Sequence, residues 1–180
     1  MKTLLLMKHA ESVNDYDLND DWYRPLSSRG ESDARRIGEM LIDEELVPDL
    51  ILTSSAIRSD QTACIVAEAF KDACKCYSRD SLYLAEMETY YKEVKPISDK
   101  VTKLLIVGHN PAVSHILQVL IEKVMYIPNS AVAQVNLEID SWQDFNYEIQ
   151  GKLVQMIKVN PLMPLYRDHK LLSEMNISLQ

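Results

Sequence analysis

The chain has 180 residues, of which 47% are hydrophobic, and this is enough for one domain with a sizeable core. Its formal net charge of -8 argues against non-specific binding to nucleic acid or to an anionic membrane surface, although a locally basic pocket can still bind an anion. Cys64, Cys74 and Cys76 lack metal-ligand companions, and no segment approaches membrane-spanning length, so we expect a cytoplasmic protein with reduced thiols.

Apolar periodicity predicts strands and helices that alternate along most of the chain. In chain order they are a strand at residues 3–7, a helix at 31–46, a strand at 49–53, a helix at 56–70, a strand at 103–108, a helix at 111–123, and strands at 131–139 and 152–159. This alternation implies right-handed crossovers and a mostly parallel sheet with helices on both faces. The last two strands lack an intervening long helix, which predicts an antiparallel edge.

The predicted fold class is therefore α/β, as a three-layer sandwich with a mostly parallel sheet. The pattern ends at the prolines at 161 and 164. We accordingly assign residues 1–161 to one domain and residues 162–180 to a C-terminal tail.

Polar segments follow the carboxyl ends of the three predicted parallel strands. They are "KHAESVN" at 8–14, "SSAIRSDQT" at 54–62 and "GHNP" at 108–111. Ligands of open α/β sheets bind beyond the carboxyl ends of the strands, so we expect the side chains of these segments to converge there.

The converging groups suit a phosphoryl group, which needs several charge-assisted donors. They are the side chains of Lys8, His9, Ser12, Asn14, Arg58 and His109. The sequence shows neither a carboxylate cluster for magnesium nor a His/Cys set for zinc, so we predict no metal and no cofactor.

The same segments resemble those of a known family. "KHAESVN" is similar to the R-H-G-x-T-x-x-N signature of the histidine phosphatase superfamily, and "RPLSSRGESDARRIGEML" is similar to its P-L-T-x-x-G-x-x-Q-A stretch. "SSAIRSDQT" and "VGHNP" resemble its second arginine and second histidine segments. The short chain, the alanine at position 10 and the run from "GHNPAVSHIL" to "GKLVQMIKVNP" are most similar to SixA-like phosphohistidine phosphatases.

This resemblance implies a phosphoglycerate mutase-like fold and a role for each site residue. His9 would be the nucleophile that takes the phosphoryl group, and His109 would flank the phosphate. Arg58 matches the second phosphate-binding arginine, and Ser12 and Asn14 match side-chain contacts of the signature. No metal is implied, and the implied partner is a protein phosphorylated on histidine, such as a phosphotransfer domain.

Two positions depart from the family pattern. Lys8 stands where the family has arginine, which keeps the charge but loses the planar bidentate fork. Glu86 and Glu88 lack the glycine and tryptophan setting of the proton-donating carboxylate, and we expect them to be solvated. A phosphohistidine substrate needs less acid help, so the missing acid favours it. The alternatives are a phosphatase of a small metabolite and a phosphate-binding regulatory protein with weak turnover.

Two further residues lie near the predicted site. Arg24, directly before Pro25, fits either an approach to the phosphate or a surface charge. Ser27, followed by Gly30 and Glu31, resembles the start of a helix, where a serine caps the free amides.

Overall fold

The computed structural model describes residues 1–13, 20–71 and 73–160. Within these residues the strands are β1 Lys2–Lys8, β2 Leu50–Ser54, β3 Lys75–Arg79, β4 Lys103–Gly108, β5 Val132–Leu137 and β6 Gly151–Ile157. The α-helices are α1 Ser28–Asp43, α2 Ile57–Glu68, α3 Met87–Val94 and α4 Ala112–Ile121. Short 3-10 helices span Asp21–Tyr23, Asp80–Leu82 and Trp142–Asp144.

The strands form one mixed sheet in the order β3-β2-β4-β1-β5-β6. The pairs β3/β2, β2/β4 and β4/β1 are parallel, whereas β1/β5 and β5/β6 are antiparallel. Both the mostly parallel sheet and its antiparallel edge are thus confirmed.

Helices cover both faces of the sheet because successive side chains of a strand point to opposite faces. In β1, Leu5 and Met7 pack into the core that α1 and α2 cover, while Leu4 and Leu6 pack into the core beneath α3 and α4. All four leucine and methionine side chains are fully buried. The predicted three-layer sandwich is therefore confirmed.

The sequence-based prediction lacks β3 and α3. Every residue of β3 is exposed, so its sequence "KCYSR" carries no buried face that periodicity could reveal. The helix α3 does carry a helical signal, because Met87, Tyr90, Tyr91 and Val94 have the spacing of one buried helical face. The helix spans only eight residues, and so short a pattern is hard to distinguish from a loop by periodicity alone.

The parallel register brings the ends of three strands to one level. Lys8 of β1 pairs with Gly108 of β4, and Thr53 of β2 pairs with Val107. The residues that follow these strands therefore emerge side by side at one edge of the sheet.

Two sequence-based expectations concern the ends of the chain and the membrane. The predicted tail at 162–180 lies outside the described residues. Within the residues that are described, no helix is both long enough and apolar enough to cross a membrane.

The start of α1 packs against the loop that follows β1. Ser27 caps the helix as expected, because its Oγ accepts from the Gly30 amide at 3.0 Å and donates to the Glu11 carboxylate at 2.9 Å. A Cβ at Gly30 would meet the Glu11 carbonyl oxygen and lie 2.9 Å from its carbon. The absence of a side chain at Gly30 thus lets the helix approach the loop.

We predict that Gly30→Ala destabilises the protein by about 1–3 kcal/mol through overpacking. Alanine favours helix by about 1 kcal/mol over glycine. The Glu11 carbonyl, however, accepts from the Ser27 amide at 2.9 Å, so turning it away from the new methyl group would break that bond. Urea unfolding measures the change, with Arg35→Ala at an exposed position of α1 as the control. A Gly30→Ala variant as stable as the wild type would contradict the packing described here.

Candidate active site

A pocket of about 710 Å³ opens where β1, β2 and β4 end. Its lining includes Lys8, His9, Ser12, Arg24, Arg58 and His109. The structure thus brings together every sequence-predicted site residue except Asn14, which lies outside the described residues. It also resolves the ambiguity about Arg24, which faces the pocket.

The His9 ring is oriented by a hydrogen bond to the backbone. Its Nδ1 lies 2.7 Å from the Ala10 carbonyl oxygen, which can only accept, so Nδ1 carries the proton. Burial lowers the pKa of His9 from 6.5 to about 4; the Ala10 bond opposes this shift, and the charge of Arg58 adds to it. At neutral pH the imidazole is therefore uncharged, with its lone pair on Nε2.

The second imidazole packs edge-on against the first, with 5.2 Å between the ring centroids of His9 and His109. His109 Nε2 lies 3.0 Å from Ser54 Oγ and 3.4 Å from Ser59 Oγ. Burial lowers the pKa of His109 to about 3, and the neighbouring His9 and Arg58 contribute to the shift. Its buried Nδ1 has no hydrogen-bond partner among the described residues.

Two arginines meet at the carboxylate of Asp21. Arg58 donates from Nη1 to the Asp21 carbonyl and from Nη2 to Asp21 Oδ2, both at 2.7 Å. Arg24 Nη1 lies 3.1 Å from Asp21 Oδ1, and its Nη2 donates to Ser12 Oγ at 2.6 Å. In the described part of the chain, the buried Nε atoms of both arginines have no partner. These two N–H groups are therefore unsatisfied within the described residues.

Lys8 lies at the rim of the pocket and contacts an aromatic residue of the loop before β5. Its Nζ donates to Tyr126 Oη at 3.1 Å, and the ring centroid is farther away, at 5.5 Å. The ammonium group therefore makes both a hydrogen bond to the hydroxyl and a cation–π contact with the ring. That bond, together with one from Asn110, lowers the pKa of Tyr126.

Sequence reasoning missed Asp21 and Tyr126 and left Arg24 undecided. Arg24 had a signal, since it opens the "RPLSS" stretch of the family resemblance. Asp21 and Tyr126 sit in segments without periodicity, and only the tertiary structure brings them into contact with the lining residues Arg58 and Lys8. Glu86 and Glu88 are exposed, as expected, and are not part of the pocket lining.

The described residues hold no group of three or more His, Cys, Asp or Glu side chains that could bind a metal ion. The pocket instead concentrates cationic and neutral donors, which suit an oxyanion.

Comparisons with known proteins find relatives in sequence and neighbours in fold. No family model matches the chain. It is 36% identical over 114 residues to the uncharacterized protein Rv1276c of Mycobacterium tuberculosis, covering 63% of this chain and 69% of that protein. It is 37% identical over 70 residues to phosphoglycerate mutase 1 of Saccharomyces cerevisiae, covering 38% of this chain and 28% of the mutase.

Solved structures share the whole fold. SixA of Agrobacterium tumefaciens superposes with a TM-score of 0.75 at 24% identity, over 88% of this chain and 98% of SixA. The protein histidine phosphatase SixA in complex with tungstate gives a TM-score of 0.72 at 19% identity, over 87% and 96% of the two chains. The chain thus shares the fold of the SixA phosphatases, and part of its sequence is similar to a phosphoglycerate mutase. Against the histidine phosphatase signature, the unusual Lys8 is the residue that contacts Tyr126.

We predict a pH-dependent stability from the two depressed histidine pKa values. The unfolded state binds a proton near pH 6.5, whereas folded His9 resists it down to about 4, so stability falls as pH drops through this window. His9 alone should lower the unfolding free energy by about 2 kcal/mol between pH 7.5 and pH 5. Urea unfolding at several pH values measures this slope.

His9→Gln removes the titrating ring and should flatten that slope, and His109→Gln should do the same for its own share. Equal slopes in the wild type and both variants would show that the rings are protonated as easily in the folded protein as in the unfolded chain.

Proposed function

We propose that this protein is a phosphatase that removes phosphate from phosphohistidine in proteins, through a covalent phosphohistidine on His9. The observation that carries the proposal is the neutral His9, with its proton fixed on Nδ1, in a pocket lined by cationic side chains. The resemblance of the site segments to the histidine phosphatase signature and the fold shared with SixA support the same reaction class.

The first step is an in-line attack of His9 Nε2 on phosphorus. A Nε2–P bond forms while the bond from phosphorus to the substrate imidazole breaks. The substrate ring carries a proton on its other nitrogen, so it takes the released electron pair and leaves as a neutral imidazole. In the second step, water attacks the phosphorylated His9, gives inorganic phosphate and restores the neutral ring. The depressed pKa of His9 keeps the attacking lone pair available at neutral pH.

Cationic side chains stabilise the charge on the transferring phosphoryl oxygens. Lys8, Arg24 and Arg58 all line the pocket, and the Nε atoms of the two arginines are still without partners within the described residues. Hydrogen-bond donors that are already oriented lower the barrier most, because they need no rearrangement during the reaction. These cations supply the charge stabilisation that a bound metal supplies in other phosphoryl-transfer sites.

The charge state of Asp21 favours an imidazole leaving group over an alkoxide. Partial burial raises the pKa of Asp21, but the Tyr83 hydrogen bond and the Arg58 charge outweigh this effect and lower it. Asp21 is therefore held as a carboxylate and is a poor proton donor. A labile P–N bond needs less acid assistance than a phosphate ester.

Two other functions have specific support. The yeast relative is a phosphoglycerate mutase, and this favours a small phosphorylated metabolite as the second candidate substrate. A phosphate-binding regulatory protein with weak turnover is favoured by Lys8, whose head group is bonded to Tyr126 at the rim.

A substrate comparison separates the three functions. The protein is incubated with a phosphotransfer domain phosphorylated on histidine and with a panel of phosphomonoesters, each with and without a chelator. We expect phosphate release chiefly from the phosphohistidine protein, unchanged by the chelator. Release chiefly from a monoester would favour the metabolite phosphatase, and phosphate binding without release would favour the regulatory protein.

We predict that His9→Ala abolishes turnover, because it removes the nucleophile. Brief mixing of the wild type with labelled phosphohistidine protein should trap an acid-labile, base-stable phosphoenzyme that His9→Ala lacks. The control is His115→Ala, which removes an exposed histidine of α4 outside the pocket lining. Turnover retained by a folded His9→Ala variant would exclude His9 as the nucleophile.

We predict that Lys8→Arg raises kcat/KM for phosphohistidine by roughly tenfold to a hundredfold, because one more charge-assisted bond is worth on the order of 1–3 kcal/mol. The guanidinium needs the space that the Tyr126 hydroxyl now borders, so the gain should be larger in a Tyr126→Phe background. Steady-state kinetics on the two single variants and the double variant measure the coupling.

Lys8→Ala is the matching control, since it removes both the positive charge and the N–H donors of the side chain. It should lower kcat/KM. If Lys8→Arg reduced activity while Lys8→Ala left it unchanged, Lys8 would not be a phosphate ligand.

A further inference from the structure

Asp21 is the centre of a hydrogen-bonded cluster beside the pocket. Its main-chain carbonyl and Oδ2 accept hydrogen bonds, and Oδ1 forms an ion pair, at distances of 2.7–3.1 Å. The donors are the guanidinium groups of Arg24 and Arg58 and the hydroxyl of Tyr83. The reaction proposed above assigns no step to Asp21.

Asp21 and Ser12 contact the terminal Nη atoms of the two guanidinium groups. Arg58 uses Nη1 and Nη2 on Asp21, and Arg24 uses Nη1 on Asp21 and Nη2 on Ser12. Two bonds at the fork fix the plane of each guanidinium, because the group is planar and rigid. The Nε–H of each arginine then has a set direction without a partner in the described part of the chain.

Asp21 holds the arginines from outside the anion site. Arg24 and Arg58 belong to the pocket lining, whereas Asp21 is not among the described residues that form it. A carboxylate that occupied the phosphate position would itself line the pocket. The geometry therefore favours a carboxylate that orients the arginines over one that occupies the phosphate position and blocks it, which we call a plug.

Tyr83 connects this carboxylate to the second histidine. Its hydroxyl donates to Asp21 Oδ2 at 2.9 Å, and its ring stands edge-on to His109 with 5.8 Å between centroids. Trp22 packs on the same ring at 4.7 Å. A shift of Asp21 would thus displace both arginines, and through Tyr83 it would also displace His109.

We propose that Asp21 is a positioning residue for phosphoryl transfer, which orients Arg24 and Arg58 and ties them through Tyr83 to His109. This inference rests on the proposed phosphatase function. It predicts two opposite effects of removing the charge. The arginines lose their orientation in the transition state, while a bound anion loses a repelling neighbour in the ground state.

The test is Asp21→Asn, compared with the wild type and with Asp144→Asn, the same change at an exposed site outside the pocket lining. Turnover is measured with phosphoramidate, p-nitrophenyl phosphate and phenyl phosphate, and the binding of inorganic phosphate is measured by calorimetry. We expect kcat to fall at least about tenfold on all three substrates alike. The affinity for inorganic phosphate should stay equal or become tighter.

Three outcomes would overturn the inference. An unchanged kcat would mean that Asp21 does not position the arginines. A raised kcat with tighter phosphate binding would mean that it is a plug. A loss much larger for phenyl phosphate than for p-nitrophenyl phosphate would mean that it acts as a proton donor, because only the poorer leaving group needs one.

A second variant and a second readout keep the test independent of folding and of turnover. Tyr83→Phe keeps the ring and removes one bond to Asp21, so kcat should fall in the same direction but less. In nitrogen NMR spectra the Nε–H signals of Arg24 and Arg58 should be sharp in the wild type and exchange-broadened in Asp21→Asn. If the wild type hydrolyses nothing, the proposed function fails, and unchanged arginine signals in Asp21→Asn would separately overturn the positioning role.

Discussion

The parallel register of β1, β2 and β4 is the constraint on which the candidate site depends. Lys8 pairs with Gly108 and Thr53 with Val107, so the three strands end together. His9 directly follows β1 and His109 directly follows β4, so their rings can pack edge-on against each other. A slip of one residue would turn one of these side chains to the other face of the sheet.

Burial of the two imidazoles sets the chemistry of the pocket. His9 is 8% exposed and His109 is 3% exposed, and both stay neutral because a buried cation beside Arg58 is unfavourable. Arg58 is equally buried and carries a permanent charge, which is costly without a partner. Asp21 provides that partner. The same carboxylate favours protonation of His109, but burial and the charge of Arg58 outweigh it and the ring stays neutral.

Lys8 distinguishes this chain from the histidine phosphatase signature. An ammonium group is compact and can direct its three donors separately, and here one donor is used by Tyr126. The backbone of Lys8 is fixed from both sides, since it pairs with Gly108 in β4 and forms a bridge to Asn129. The lysine head group is thus tied to the loop before β5, while its main chain belongs to the sheet.

The sequence by itself determined the layered α/β fold, because alternating apolar periods of strand and helix leave few ways to bury their faces. It also indicated the edge at which His9, Arg58 and His109 gather, since parallel strands present their carboxyl ends together. The strand β3 had no such signal, because an exposed edge strand needs no apolar face. Only the tertiary structure placed Asp21 and Tyr126 against residues that line the pocket, because contacts between segments without periodicity depend on how the whole chain packs.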